Sequence, residues 1–148
     1  MSKSRAEKLM GNCADMDAVV IVNDGIPFMY STFWYLSELA SGSFESSIAI
    51  VTRNGLDVIT SRLEEESARS GKCEVHIYGT RDERNAMVRK ALGDSKKVGF
   101  NVHSATYASV EYIKKIAEGI TVVDASSGIT DTETVKDQKE IEATRKAF

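Results

Sequence analysis

The chain has 148 residues, of which 42% are hydrophobic and 28% are charged, and its formal net charge is −3 at pH 7. These proportions are ordinary for a single soluble globular domain and argue against an intrinsically disordered protein. An acidic chain without a basic patch lacks the cations that bind a phosphate backbone, so we expect no nucleic-acid partner.

Membrane insertion and a disulfide framework are also disfavoured. No apolar run approaches the length of a membrane-spanning helix, and the polar N-terminus is unlike a signal peptide. Cys13 and Cys73 lie far apart without CxxC spacing, which is typical of reduced, semi-buried thiols. We therefore expect a cytoplasmic domain with no membrane partner.

The N-terminal half predicts two helices and three strands. The pair Asn54 and Gly55 lies between apolar runs and indicates a hairpin, because both residues tolerate a positive φ. Ser61 is placed to cap the second helix, and Gly71 to end it. In chain order the predicted elements are a helix over 4–14, strands over 17–23, 46–52 and 56–60, and a helix over 62–69.

The C-terminal half alternates strands and helices, which predicts parallel crossover connections. Thr80 and Glu83 form a capping-box pattern, and Ser104 is a candidate N-cap. Residues 126–128 (Ser-Ser-Gly) predict a loose connection. The elements are strands over 74–78, 97–102 and 121–124 and helices over 80–92 and 104–116. The sum is an α/β fold, a mixed sheet flanked by helices, in one domain.

The C-terminal segment starts a well-defined helix. Asp137 is a good N-cap, Glu140 can close a capping box on it, and Ile141 begins a helical apolar spacing. The sequence then stops at Phe148, with no residue that would end the helix. Two explanations stay open: the helix docks on the domain, or the chain is cut from a longer protein.

Histidines offer little support for catalysis. His76 lies in the middle of a strand, on the face opposite Val75 and Ile77, as is usual for a sheet-surface residue. His103 follows a strand, at the edge where open α/β sheets tend to bind ligands, and is a candidate ligand or interface contact. Neither belongs to a metal-binding motif.

Carboxylates and thiols also fail to form a convincing catalytic set. Aspartates at strand ends could hold a divalent metal, but they are ordinary turn formers. A hydrolase that uses Cys13 or Cys73 would need a histidine nearby, which nothing in the sequence arranges. The aspartates concerned are Asp15, Asp17, Asp24 and Asp124.

The segment 28–37 (FMYSTFWYLS) concentrates aromatic residues directly after a loop. Helical spacing puts Tyr30, Trp34 and Leu36 near one face, which core packing partly explains. A small domain cannot easily bury every aromatic side chain of this segment, so an interface or a binding cleft competes with a pure core role.

Several segments, taken together and in order, resemble the N-terminal domain of the creatinase, prolidase and aminopeptidase P family. The segment 31–37 (STFWYLS) is similar to its FWYLTG-type motif, although Glu38 stands where the family usually has Gly. Glu133 and Thr134 stand where it often has Arg. The other similar segments are the hairpin 49–60, the strand 97–100 (KVGF), the strand 122–125 (VVDA) and the signature over 135–147.

The resemblance implies a creatinase N-terminal domain-like fold with a ribonuclease H-like motif, over residues 1–136. Residues 137–148 would begin a linker helix to a catalytic domain that is absent from this chain. That domain would hold a pair of divalent metal ions, and this chain would hold no cofactor. The full enzyme would be a metal-dependent Xaa-Pro dipeptidase or aminopeptidase.

The family's N-terminal domain helps to form a homodimer and shapes the substrate cleft of the neighbouring subunit. Trp34 is the residue expected to contact substrate there, while Phe33, Tyr35 and His103 are possible interface or ligand contacts, with packing the expected role of Phe33 and Tyr35. A different reading is a stand-alone binding or dimerisation module that never had a catalytic half.

Overall fold

The structure is a computed structural model that describes residues 4–71 and 73–148. Residues 1–3 and Lys72, which belong to the predicted domain, lie outside the described part. The helices are α1 (Arg5–Asn12), α2 (Ser31–Ser37), α3 (Glu65–Arg69), α4 (Arg81–Leu92), α5 (Tyr107–Ile116), α6 (Ser126–Thr134) and α7 (Gln138–Ala147), with a 3-10 turn at Arg62–Glu64. The strands are β1 (Ala18–Asn23), β2 (Ser47–Thr52), β3 (Gly55–Ser61), β4 (Glu74–Tyr78), β5 (Lys97–Phe100) and β6 (Thr121–Asp124).

The six strands form one mixed sheet in the order β4-β3-β2-β1-β5-β6. β1, β2 and β3 pair antiparallel, and the turn at Asn54 joins β2 to β3 as the hairpin signal predicts. β3–β4, β1–β5 and β5–β6 are parallel, as the alternation of strands and helices predicts. The predicted mixed α/β sheet is therefore confirmed.

Helices cover both faces of this sheet, because successive β1 side chains point to opposite sides. Val19 and Ile21 pack against α1, α2 and α6, whereas Val20 and Val22 pack against α4 and α5. All six residues of β1 are buried, which explains why this strand is a continuous apolar run.

Helix starts agree with the sequence where a hydroxyl precedes the first turn. Ser4 Oγ accepts from Glu7 N–H at the start of α1, and Thr80 Oγ1 accepts from Glu83 N–H at the start of α4. The carboxylate of Glu83 accepts from Gly79 N–H, one residue earlier than in a capping box. The predicted starts of α1 and α4 are confirmed to within a residue.

Two predicted caps are wrong. Ser61 is the last residue of β3, and its side chain makes no cap hydrogen bond to the 3-10 turn that follows. α5 is capped by Thr106, whose Oγ1 accepts from Ser109 N–H, instead of by Ser104. The loop between β5 and α5 runs over residues 101–106, because β5 ends at Phe100, two residues earlier than predicted, and α5 begins only at Tyr107. Within this loop the N–H groups of Ser104 and Ala105 donate to Asn101 O.

The predicted loose connection over 126–128 is also wrong, since these residues begin α6. Asp124 Oδ1 accepts from both the N–H and the hydroxyl of Ser126 and turns the chain into the helix. Gly128 allows α6 to approach α1: a Cβ there would overlap Cys13 Sγ and lie 2.9 Å from Asn12 O. Tertiary contact therefore stabilises a helix that local propensity disfavours.

α7 forms the capping box predicted for Asp137 and Glu140. In α7 Glu140 is buried and Ile141 is partly buried, and Phe148, directly after the helix, is fully exposed. The helix is thus attached to the domain at its first turn and projects away from it toward Phe148. The boundary predicted at residue 136 stays a prediction.

Candidate functional site

The aromatic segment folds as the short helix α2, which crosses one face of the sheet. Phe33 and Leu36 are its buried apolar face, in place of the face predicted through Tyr30, Trp34 and Leu36. Phe33 is fully buried, and its ring centroid lies 5.4 Å from those of both Trp34 and Phe44. Phe33 therefore occupies a core position, whereas Trp34 is partly exposed.

The ring of Phe44 packs against the side of Trp34 that faces the protein. The two ring centroids lie 6.5 Å apart, and the ring planes are nearly perpendicular. Phe44 is fully buried although its φ of 51° lies in the left-handed region. Glu64 Oε1 holds this turn by accepting from Phe44 N–H at 3.1 Å and from Ser43 Oγ at 2.8 Å. One carboxylate thus fixes the loop that supports the indole ring.

Tyr35 faces the other side of α2, toward α1, α6 and α7. Its hydroxyl donates to Thr132 O at 3.2 Å, and the Arg5 guanidinium lies 4.2 Å from its ring centroid. Burial, together with the nearby Glu140 carboxylate, raises the pKa of Tyr35 to about 12. Tyr35 therefore stays neutral at any physiological pH and acts as a packing and hydrogen-bonding residue here.

Arg5 joins the two ends of the chain. Its Nε lies 3.1 Å from Glu140 Oε1, and its Nη1 donates to Tyr35 O at 2.6 Å. Both charged side chains are largely buried, with exposed fractions of 18% for Arg5 and 8% for Glu140. A charge pair with this little solvent around it is weakly screened and can hold α7 in one orientation.

We expect Glu140→Gln to loosen α7 without unfolding the domain. The substitution keeps an acceptor for the capping box but removes the charge that faces Arg5, so α7 should lose about 1 kcal/mol of local stability. Amide hydrogen exchange in α7 should rise several-fold, while exchange in β1 stays unchanged. The matched control is Glu142→Gln, since Glu142 is on the same helix and outside the Arg5 contact; equal effects of both variants would contradict the role of Glu140.

The turn after α2 keeps a left-handed shape although it has no glycine. Glu38 has φ 57° and ψ 24°, and its N–H donates to Trp34 O at 2.9 Å. A non-glycine residue in this conformation costs roughly 1–2 kcal/mol. The Glu38 carboxylate lies 3.4 Å from Lys139 Nζ and 3.9 Å from Arg5 Nη1, so it contributes to the docking of α7.

His103 is exposed and lies in the loop after β5, at the edge of the sheet that is formed by the carboxyl ends of the parallel strands β1 and β5. Asp24, in the loop after β1, joins this edge to α5: its Oδ2 accepts from Ser109 Oγ at 2.5 Å and from Thr106 Oγ1 at 3.2 Å. Hydrogen bonds from Ser126, reinforced by the charge of His103, lower the pKa of Asp124.

Asp17, which directly precedes β1, has a structural role. Its Oδ2 accepts from the N–H groups of Lys96 and Lys97, both at 2.9 Å, and these bonds lower its pKa. It thereby joins the start of β5 to the start of β1. Among the described residues, no group of three or more His, Cys, Asp or Glu side chains could hold a metal ion.

The thiols and His76 do not form a nucleophilic site. Burial raises the pKa of both Cys13 and Cys73, which disfavours the reactive thiolate. His76 Nε2 lies 2.8 Å from Asp57 Oδ1 across the β3–β4 pair. Within the described residues no hydrogen bond joins either cysteine to a histidine, so the hydrolase reading is not supported.

Comparison with known proteins decides the family. A family model described as the creatinase/prolidase N-terminal domain matches residues 4–132, which is most of the chain. The chain belongs to this family. A search of curated proteins finds no match.

Solved structures share the fold along almost the whole chain. A prolidase from Pyrococcus horikoshii OT3 is 22% identical with a TM-score of 0.73, over 95% of this chain and 38% of its own. An X-Pro aminopeptidase from Thermotoga maritima MSB8 is 20% identical with a TM-score of 0.76, over 93% and 38% respectively. The N-terminal domain of cytoplasmic peptidase PepQ from Mycobacterium tuberculosis H37Rv is 23% identical with a TM-score of 0.69, over 88% and 99%.

The coverage figures show how much of each of these proteins the chain corresponds to. It spans 38% of the prolidase and of the aminopeptidase, but its matched part fills the PepQ N-terminal domain almost completely. At these identities the structural likeness shows the fold alone. In the parts 4–71 and 73–148, no helix is both long and apolar enough to cross a membrane.

The sequence pattern named Trp34 and its neighbours as candidates, which stays a prediction, and gave no sign of the residues that contact them. Arg5, Glu64 and Thr132 contact the aromatic helix or its supporting loop from other parts of the chain. No local motif marks such residues, because their partners lie 20 to 97 positions away in sequence. The left-handed turn at Glu38 did have a signal, because the family usually has glycine at this position and glycine tolerates a positive φ.

Proposed function

We propose that this chain is the non-catalytic N-terminal domain of a Xaa-Pro dipeptidase-like metallopeptidase. The full-length protein would hydrolyse Xaa-Pro peptide bonds with metal ions. This domain would contribute to dimerisation and to substrate selection. The observation that carries the proposal is the family match over residues 4–132 in a chain that spans 38% of a prolidase and of an X-Pro aminopeptidase.

The catalytic metals would belong to a domain outside this chain. A metal-activated water needs several protein ligands converging on one ion, and the described residues offer no such cluster. The donor sets present here, such as Asp17 and Asp124, are already occupied by backbone and hydroxyl hydrogen bonds. We therefore propose that this chain has no peptidase activity by itself.

Trp34 is our proposed substrate-side contact. The indole is partly exposed, while its other side rests on Phe33 and Phe44 and its loop is fixed by Glu64. A rigid aromatic surface of this kind can narrow a cleft and orient a ligand at small entropic cost. Tyr35 is engaged with Arg5 and Thr132, which supports a structural role for it.

A homodimer is proposed on the basis of apolar side chains at the sheet edge where β1 and β5 end. Ile26 and Phe28 in one loop are 84% and 48% exposed, and Val102 and Tyr107 after β5 are 48% and 81% exposed. Asp24 joins these two segments through Thr106 and Ser109. Exposed apolar groups so placed favour a protein interface, in which His103 would also lie.

A cytoplasmic location is part of the same proposal. Cys13 and Cys73 are both free thiols, which suits a reducing compartment. One structure of the same fold is the N-terminal domain of a cytoplasmic peptidase.

Trp34→Ala in the full-length enzyme tests the role of α2. We expect kcat/KM for Xaa-Pro dipeptides to fall roughly tenfold, corresponding to about 1.4 kcal/mol, with metal content retained. The effect should fall mainly on KM and on selectivity for substrate length, because Trp34 would act in binding.

Tyr35→Phe is the control, since it keeps the ring beside Arg5 and removes only the hydroxyl. We expect its kinetics to stay close to those of the parent enzyme. If Trp34→Ala left kcat, KM and selectivity unchanged, Trp34 would have no part in the substrate site.

A stand-alone binding or dimerisation module is the second candidate. The exposed side chains of Ile26, Phe28 and Tyr107 favour it, since they offer an interface that needs no catalytic domain. This candidate predicts that the native protein is no larger than this chain and self-associates through that edge.

A further inference from the structure

A crevice of about 190 Å³ lies between the start of α4, α5 and the end of β1. Three charged side chains line it, two arginines and one aspartate: Arg81, Arg84 and Asp24. Its other polar groups belong to Ser46, Ser109 and Tyr112. This crevice is separate from Trp34 and the aromatic helix, although two residues that line it, Asp24 and Ser109, also join the loops of the proposed dimer edge.

Arg84 is held rigidly in this crevice. Its guanidinium carbon lies 4.7 Å from the ring centroid of Tyr112 and 5.6 Å from that of Tyr78. Its Nε donates to Tyr112 Oη at 3.0 Å, and that hydroxyl donates to Asn85 Oδ1 at 2.6 Å. The ring of Tyr78 is itself fixed by a hydrogen bond from its hydroxyl to Ser46 O at 2.8 Å.

This arrangement leaves the outer side of the guanidinium without a protein partner. Among the described residues, no carboxylate forms an ion pair with Arg84, and its two terminal nitrogens donate no hydrogen bond. Arg84 is only partly exposed, so its charge is incompletely solvated. A fixed guanidinium fork with two free nitrogens matches the two oxygens of a carboxylate.

We infer that this crevice binds a small carboxylate ligand, with Arg84 as the anchor and Arg81 as a second cation. Pre-organisation by the two tyrosines lowers the entropic cost of binding. Asp24 disfavours doubly charged phosphate relative to a monoanion, because its carboxylate repels a doubly charged ligand about twice as strongly as a singly charged one. The crevice volume suits a ligand of a few heavy atoms.

The test is an NMR titration of the ¹⁵N-labelled 148-residue chain with sodium acetate, sodium phosphate and sodium chloride at matched ionic strength. We expect acetate to cause saturable shifts of the Arg84 Nε–H signal and of the Asp24, Ser46 and Ser109 amides. Arg84→Gln should weaken acetate binding at least tenfold, and Arg84→Lys should weaken it too, because the ammonium group lacks the fork.

Arg89→Gln is the matched control, since Arg89 lies on the same helix and outside the crevice; it should leave acetate binding unchanged. Arg81→Gln, at an exposed position, should weaken binding several-fold and keeps the test decisive if the Arg84 variants fail to fold. Shifts that do not saturate, that chloride reproduces, or that persist in Arg84→Gln would overturn the inference. Saturable binding of phosphate without acetate would overturn the ligand class.

Discussion

Replacing Phe33 with alanine is expected to lower the free energy of unfolding by about 3–5 kcal/mol, as for other fully buried phenylalanines. Phe33 has no exposed surface and contacts the rings of Trp34 and Phe44, so its removal would leave a cavity lined by apolar groups. Urea unfolding followed by the fluorescence of Trp34, the single tryptophan of the chain, measures the change.

Phe28→Ala is the control for this prediction, because Phe28 is the same residue type five positions earlier and is 48% exposed. We expect it to cost less than about 1 kcal/mol. Equal losses in the two variants would contradict the assignment of Phe33 to the core and of Phe28 to the surface.

Gly128→Ala is expected to destabilise the domain by about 1–3 kcal/mol, the usual cost of overpacking. The added methyl group would overlap Cys13 Sγ and meet Asn12 O at 2.9 Å, so α6 would have to move away from α1. The hydrogen bond from Asn12 Nδ2 to Thr132 Oγ1, at 2.8 Å, would be strained by the same movement. Thermal and urea unfolding both report this change.

Gly11→Ala, on the neighbouring helix α1, is expected to change stability in the opposite direction. A Cβ at Gly11 has no atom within 4 Å, so alanine should stabilise α1 by about 0.5–1 kcal/mol through its better helix propensity. If Gly128→Ala were as neutral or as stabilising as Gly11→Ala, the close packing of α1 on α6 would be wrong.

The strands and the starts of α1, α4 and α7 could be predicted because their signals are local. β1 is a continuous apolar run, Asn54 and Gly55 mark the hairpin, and Thr80 precedes a helical pattern. α6 could not be predicted, because its Ser-Ser-Gly start has poor helix propensity and is stabilised by packing against α1. Thr106, and not Ser104, caps α5 for a similar reason. Both hydroxyls are suitable caps, and the path of the loop determines which of them directly precedes the first turn.

The candidate site was predictable only in part. A dense group of aromatic residues identified α2, but the division into buried Phe33 and partly exposed Trp34 depends on how the helix lies on the sheet. The carboxylate of Glu64 and the guanidinium of Arg5 act on this helix across long sequence separations. Such contacts follow from the tertiary fold and have no local sequence signal.

The mass of the native protein, detected in its own cell by blot or intact-mass analysis, tests the central claim most directly. We expect a species of more than twice the 16.2 kDa of this chain, because the chain covers only 38% of the prolidase and of the X-Pro aminopeptidase that share its fold. A native species of this chain's own mass would contradict the proposed role in a metallopeptidase and support the stand-alone module.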